Sequence, residues 1–205
     1  MLLQIHPENP SLRQVQQVVT MLKNGAVIVF PTDTIYAIGC DPMNNKAFEK
    51  LCRIRGVKPE KANFSFLFND LSHISEYTKP FDRTVFKLLK ASLPGPFTFI
   101  LPASSKVPVL FRNNKKTIGI RVPDNNIVSE IILQLGSPLV SASLHDDQDE
   151  IAEYLTEPEE IYDRLGNQVD LVIDGGYGKN IGSTVIDCTG DSPVIIREGL
   201  GQIGS

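Results

Sequence analysis

The run Ala26-Val27-Ile28-Val29-Phe30, closed by Gly25 on one side and by Pro31-Thr32-Asp33-Thr34 on the other, is the most diagnostic stretch of the chain. A short apolar run rich in β-branched residues and bounded by turn formers reads as a buried strand. Just before it, Leu12, Val15, Val19 and Leu22 recur at helical spacing, with Ser11 as the expected cap and Asn24-Gly25 as the stop.

Outward from there, helices and strands alternate. The patterns predict a helix over 44–55, a strand over 64–68 and a helix over 81–93 that ends at Pro94-Gly95-Pro96. Strands follow over 97–101 and 117–122, and Ile127, Val128, Ile131, Ile132 and Leu135 mark a helix apolar on one side. Three closely spaced strands, over 169–173, 183–187 and 194–198, complete the chain, with Gly175-Gly176-Tyr177-Gly178 as a turn. Alternation argues for an α/β (α+β) layered fold, and the crowded final strands argue that part of the sheet is antiparallel. The expectation is a twisted, mixed parallel and antiparallel sheet with flanking helices. No internal repeat, low-complexity segment or Gly/Ser linker interrupts it, so residues 1–205 read as a single domain.

Composition agrees. A chain of 205 residues with 41% hydrophobic and 21% charged residues excludes collagen, coiled coil and wholesale disorder. Area scaling for this size predicts that roughly 70% of the unfolded surface is buried on folding, enough core without staples. No apolar run approaches the ~18 residues of a membrane span. The start, Met1-Leu2-Leu3-Gln4-Ile5-His6, lacks the basic and apolar regions of a secretory signal, which predicts a cytoplasmic protein without membrane contact. Cys40, Cys52 and Cys188 are odd in number and show no C-x-x-C spacing, so they read as buried small hydrophobes.

The net charge of -4 conceals an asymmetry. Residues 145–163 hold nine acids and no Lys or Arg, and without them 20 bases face 15 acids. An acidic total is therefore compatible with an anion-binding face elsewhere.

Several motifs fail on context. Gly199-Leu200-Gly201-Gln202-Ile203-Gly204 matches G-x-G-x-x-G, but no helix follows to receive a pyrophosphate. No P-loop is present. His6, His73 and His145 lack ligand spacing, and Ser141 has no nucleophile elbow to support a triad with His145 and Asp146. The sequon Asn63-Phe64-Ser65 carries no meaning in the cytoplasm.

Four segments share a chemistry that survives: Pro31 to Tyr36, Arg53-Ile54-Arg55, Lys115 to Arg121, and Val140-Ser141-Ala142-Ser143, joined by Ser183-Thr184 and Arg197-Glu198-Gly199. All are expected at strand ends, where open α/β sheets place ligands. Arginine forks and hydroxyl donors suit a small ligand with several anionic oxygens. Taken singly, each segment also reads as a solvated helix end, a cap or a turn.

With these residues in view, the sequence resembles the YrdC/YciO family, whose studied members make threonylcarbamoyl-AMP for tRNA modification. The likeness spans nearly the whole chain: I-H-P-E-N-P at 5–10, V-I-V-F-P-T-D-T at 27–34, C-R-I-R at 52–55, P-G-x-x-T-F-I-L at 94–101, K-K-T-I-G-I-R-V-P at 115–123, S-x-S-L at 141–144, V-D-L-V-I-D-G-G-Y at 169–177, S-T-V-I-D at 183–187 and R-E-G at 197–199. It is nearest the YciO branch.

The resemblance implies a concave, basic cavity over the sheet, where L-threonine and bicarbonate form a carbamate that attacks the α-phosphate of ATP and releases pyrophosphate. It implies Arg53 and Arg55 as catalytic residues. Arg55, Asn63, Thr117, Ser141, Ser143 and Arg197 would line ATP or AMP, and Thr34, Arg121 and Ser183 would hold threonine. Mg²⁺ is expected on the ATP phosphates, with no metal held by the protein. The synthases carry K-x-R where this chain has Arg53-Ile54-Arg55, and S-x-N where it has Ser141-Ala142-Ser143. Neither exchange is conservative, since an ammonium becomes a fork and an amide becomes a hydroxyl. The link from Arg55 to Asn63 is also longer, and Phe68 stands where the synthases tend to carry histidine.

A second reading stays open, that of a double-stranded RNA- or tRNA-binding protein without synthase activity. Arg53, Lys58, Lys61, Lys115 and Lys116 would then contact backbone phosphates.

Overall fold

The computed structural model describes residues 1–108, 116–144 and 155–203. In chain order its elements are β1 (Leu2–Gln4), α1 (Leu12–Lys23), β2 (Val27–Phe30), β3 (Ala37–Cys40), α2 (Asn45–Ile54), a 3-10 turn (Pro59–Lys61), β4 (Ser65–Leu67), α3 (Ile74–Tyr77), α4 (Arg83–Ser92), β5 (Phe97–Pro102), β6 (Thr117–Arg121), α5 (Asn126–Leu135), β7 (Leu139–Ser143), α6 (Pro158–Leu165), β8 (Leu171–Asp174), β9 (Thr184–Asp187) and β10 (Val194–Arg197). All ten strands join one mixed sheet in the order β1-β8-β2-β3-β7-β4-β6-β5-β9-β10. Four neighbouring pairs are parallel, β1/β8, β2/β8, β4/β6 and β5/β9, and the rest are antiparallel.

The helices begin where the sequence supplies caps. Asn44, Asp82 and Asn125 each accept from a backbone N–H three residues on, opening α2, α4 and α5. Ser11 takes the cap position of α1, but its side chain makes no capping bond, which corrects the expectation for that residue. The patterns missed β1, β3, β7, α3 and α6. These are short, and β3 (Ala-Ile-Gly-Cys) and β7 (Leu-Val-Ser-Ala-Ser) have compositions that resemble loops. β3 pairs with the preceding β2 and with the distant β7, and β7 pairs with β3 and β4, both distant in sequence, so pairing rather than local preference holds them.

The two faces of the sheet are covered unequally. One face packs against α2, α3, α4 and α6 along its length, burying Val27, Val29, Ile38, Phe66, Phe99, Ile118, Ile120, Val140, Val172 and Ile186. On the other face α1 and α5 cover only one end, over Ile28, Phe30, Ala37, Leu67, Leu139, Leu171 and Ile173. Alternation in the strands follows this division. Where both faces are covered, β2 is apolar throughout (Val-Ile-Val-Phe); where one face is bare, β6 alternates (Thr-Ile-Gly-Ile-Arg). The uncovered part of that face is the floor of a cleft. No described helix is long and apolar enough to cross a membrane.

Candidate functional site

The cleft has a volume of about 800 Å³, within the range of roughly 300–1,000 Å³ usual for small-molecule sites. Its floor follows from the register. One row of cross-strand partners runs Gly39, Ser141, Ser65, Gly119, Ile100, Asp187 over β3, β7, β4, β6, β5 and β9. Two residues to one side lie Arg121 on β6 and Thr98 on β5, the latter paired with Val185, which pairs with Arg197 on β10. Two residues to the other side, Thr117 pairs with Pro102, and Ala37 pairs with Ser143. Successive rows are ~7 Å apart and neighbouring strands ~4.8 Å apart. Small residues keep the middle row low: a Cβ on Gly119 would stand 2.7 Å from Ser65 Oγ.

This placement corrects one expectation. The site lies on the open face of the sheet and not beyond the strand ends, because α1 and α5 stop short of that half. Arg55, Asn63, Thr117, Ser141, Ser143, Arg121, Ser183 and Arg197 all line the cleft, and so do Lys61 and Lys116. Thr34 is fully buried behind Arg121. Arg53 and Lys58 are exposed and are not among the lining residues. Residues two apart on a helix point to different faces. With Arg53 in the last turn of α2 and Arg55 its C-cap, only Arg55 turns to the cleft. Lys115, His145 and Asp146 lie outside the described residues.

Arg121 marks the border of the covered half, since its register partner Leu67 lies in the core under α1 and α5. Its Nη2 donates to Asp33 Oδ1 at 2.9 Å and to Thr34 Oγ1 at 3.0 Å. Thr34 Oγ1 is 3.1 Å from Thr32 Oγ1, which donates to the Ile35 carbonyl at 2.7 Å. A hydroxyl has one proton, so Thr32 gives its own to Ile35 and Thr34 donates to Thr32. This chain of bonds fixes Arg121 from behind. Side-chain exposures of 8% and 6% make Arg121–Asp33 a buried ion pair. Asp33 Oδ2 and Arg121 Nε are buried without a partner among the described residues.

Burial pulls the Arg121 pKa down, Asp33 opposes that, and Arg197 adds to it. The guanidinium remains charged. Arg197 in turn donates to the Ser183 carbonyl at 2.9 Å and to Ser183 Oγ at 3.3 Å, and Thr98 Oγ1 lies 2.7 Å from that same Ser183 Oγ. Two guanidiniums that repel across this end of the cleft would be relieved by an anion between them.

Among the described residues six cationic side chains line the cleft, Arg55, Lys61, Lys79, Lys116, Arg121 and Arg197, against one acid, Asp187. Asp187 Oδ1 accepts from both the backbone and the hydroxyl of Thr189. No group of three or more His, Cys, Asp or Glu among the described residues is placed to hold a metal. The sequence reading missed Ser65, Lys79, Thr98, Asp187 and Thr189 as lining residues. Thr98 carried a signal, as a hydroxyl between Phe97 and Phe99 in an alternating strand. Lys79 carried none; the Thr78–Ala103 bridge brings it in.

The buried thiols bear out the reading of the cysteines. Burial raises all three, Cys52 and Cys188 to about 11, and Cys40 further.

The family model Sua5_yciO_yrdC, described as "Telomere recombination", matches residues 20–199. The chain is 45% identical to YciO of Escherichia coli (strain K12) over 200 residues, 97% of this chain and 95% of that one. The crystal structure of E. coli YciO superimposes with a TM-score of 0.91, covering 98% of this chain and 97% of that one. The threonylcarbamoyl-AMP synthase of Vibrio vulnificus (strain YJ016) is 30% identical over 167 residues, 80% of this chain and 87% of that one. P. abyssi Sua5 in complex with L-threonine shares the fold with a TM-score of 0.87 at 22% identity, covering 97% of this chain and 57% of that chain.

Proposed function

The chain belongs to the Sua5/YciO/YrdC family, and from that premise we propose that its cleft binds ATP and L-threonine and forms threonylcarbamoyl-AMP from L-threonine, bicarbonate and ATP. The observation that carries this reading is the convergence of Arg121, Arg197, Ser183, Ser141, Ser143 and Arg55, from distant parts of the chain, around one basic hollow. The amine nitrogen of threonine bonds to the carbon of bicarbonate with loss of water. A carbamate oxygen then bonds to the α-phosphorus as the bond to the bridging oxygen breaks, and pyrophosphate leaves with the electron pair.

In this reading the Arg121 end, backed by Thr34 and Asp33, takes the threonine carboxylate, and Ser183 faces the amino acid. Arg55, Asn63, Thr117, Ser141, Ser143 and Arg197 take the nucleotide. Catalysis is then mainly proximity and electrostatic preorganisation, with donors set before the charge develops. Mg²⁺ comes with the ATP phosphates. The product serves N6-threonylcarbamoyladenosine formation on tRNA.

Pyrophosphate release from ATP, measured with threonine or bicarbonate omitted in turn, tests the reading. Release only with both present, abolished in Arg55→Ala and Ser141→Ala, is expected. Release independent of threonine overturns it.

A second reading, binding of double-stranded RNA or tRNA, is favoured by one observation: Arg53 and Lys58 lie exposed outside the cleft. Duplex affinity that falls steeply with salt, by a slope that Arg53→Ala and Lys58→Ala each reduce by about one, is its signature.

A further inference from the structure

We propose that Lys79 and Lys116, with Lys61 at the rim, form a subsite for the leaving pyrophosphate, the β- and γ-phosphates of bound ATP. The inference rests on the reading above for the direction of attack and on the sheet for the placement. Displacement at phosphorus runs roughly in line, so the leaving group departs opposite the nucleophile. The nucleophile comes from the Arg121 end. The α-phosphorus then lies over the low row of Ser141, Ser65 and Gly119, ~7 Å along the strands. Pyrophosphate must therefore point a further row away, past Thr117 and Pro102.

Lysines wait at that end. The Lys79 backbone N–H donates to the Pro102 carbonyl at 2.8 Å, and the Ala103 N–H donates to the Lys116 carbonyl at 2.9 Å. Lys79 and Lys116 therefore flank the end of β5 on opposite sides, two strand spacings or ~10 Å apart, a gap that long side chains close around one anion. Both line the cleft and are exposed. Neither they nor Lys61 has a carboxylate within ion-pair reach among the described residues. Lys116 also stands at a φ of 55°, the left-handed region that a non-glycine residue seldom adopts. Such strain is retained mostly at ligand clamps and active sites. The division of labour is physical: the buried Arg121 fork at one end orients a carboxylate, and solvated ammonium groups at the other bind a polyanion loosely enough to release it.

Calorimetric titration of the full chain with inorganic pyrophosphate, ATP and AMP tests this. Lys79→Met keeps the alkyl stem, and Lys116→Asn keeps a residue that tolerates left-handed backbone. Each change should weaken pyrophosphate and ATP by about five-fold, the scale of a partly exposed charge pair, and leave AMP unchanged, which also shows that the variants fold. Equal losses for AMP and ATP, pyrophosphate affinity unmoved by both changes, or a parent protein that binds neither pyrophosphate nor ATP would overturn the subsite. If the parent binds pyrophosphate through these lysines but shows no threonine-dependent release, the synthase reading falls and the subsite stands.

Discussion

Replacing Asp33 by alanine removes the counter-charge of Arg121 without touching the lining of the cleft. Both side chains are over nine-tenths buried and 2.9 Å apart. The surviving guanidinium would keep only Thr34 as an acceptor for Nη2, while Nε already has no partner. Stranding a buried charge in this way costs about 3–5 kcal/mol. For a chain of this size each kcal/mol lowers the melting temperature by roughly 2–4 °C, so the expected drop is roughly 6–20 °C. The pair should be replaceable as a unit: Asp33→Leu with Arg121→Met leaves no stranded charge and should restore most of that stability. It should still bind no L-threonine. Thermal melts followed by calorimetry and threonine titration read both outcomes. If Asp33→Ala melts within a degree or two of the parent, or the double variant is as unstable as the single, the ion pair does not hold Arg121 and the account of this end of the cleft is wrong.

Other perturbations probe other parts. Gly119→Ala should cost about 1–3 kcal/mol by overpacking, because its Cβ meets Ser65 Oγ at 2.7 Å and Thr98 Cγ2 at 3.2 Å; adding Ser65→Ala should return part of it in denaturant melts. Cys52 and Cys188, pushed up to about 11 by burial, and Cys40, raised further, should resist a thiol-specific disulfide reagent at pH 8 and react fully in guanidinium. The bonds from Lys106 and then His73 hold the Glu76 carboxyl below its ordinary 4.5. Their support of the Ser104–Lys106 loop is therefore present above that value and lost as pH falls through the lowered one. The protection of the Lys106 amide against exchange, measured relative to the intrinsic rate at each pH, should fall in acid in the parent, where that N–H donates to Ser104 Oγ, and show no such fall in Glu76→Gln.

The spacing of Arg53 and Arg55 shows how far the sequence reaches. Their chemistry and shared segment were legible, but the helical geometry that sends only Arg55 into the cleft depends on where α2 ends. Lys79 shows the limit, since nothing near it in the chain signals an anion and only the Thr78–Ala103 bridge carries it to the cleft.

Local pattern was enough to determine α1, α2, α4 and α5, the buried strand β2, the mixed α/β class and most of the cationic and hydroxyl side chains that line the cleft, because periodicity and turn formers act over a few residues. Tertiary structure alone decided the pairing of β3 and β7, the row of small residues under the cleft and the bare half of the sheet. Those features arise where α1 and α5 stop covering the face, a consequence of how distant segments pack.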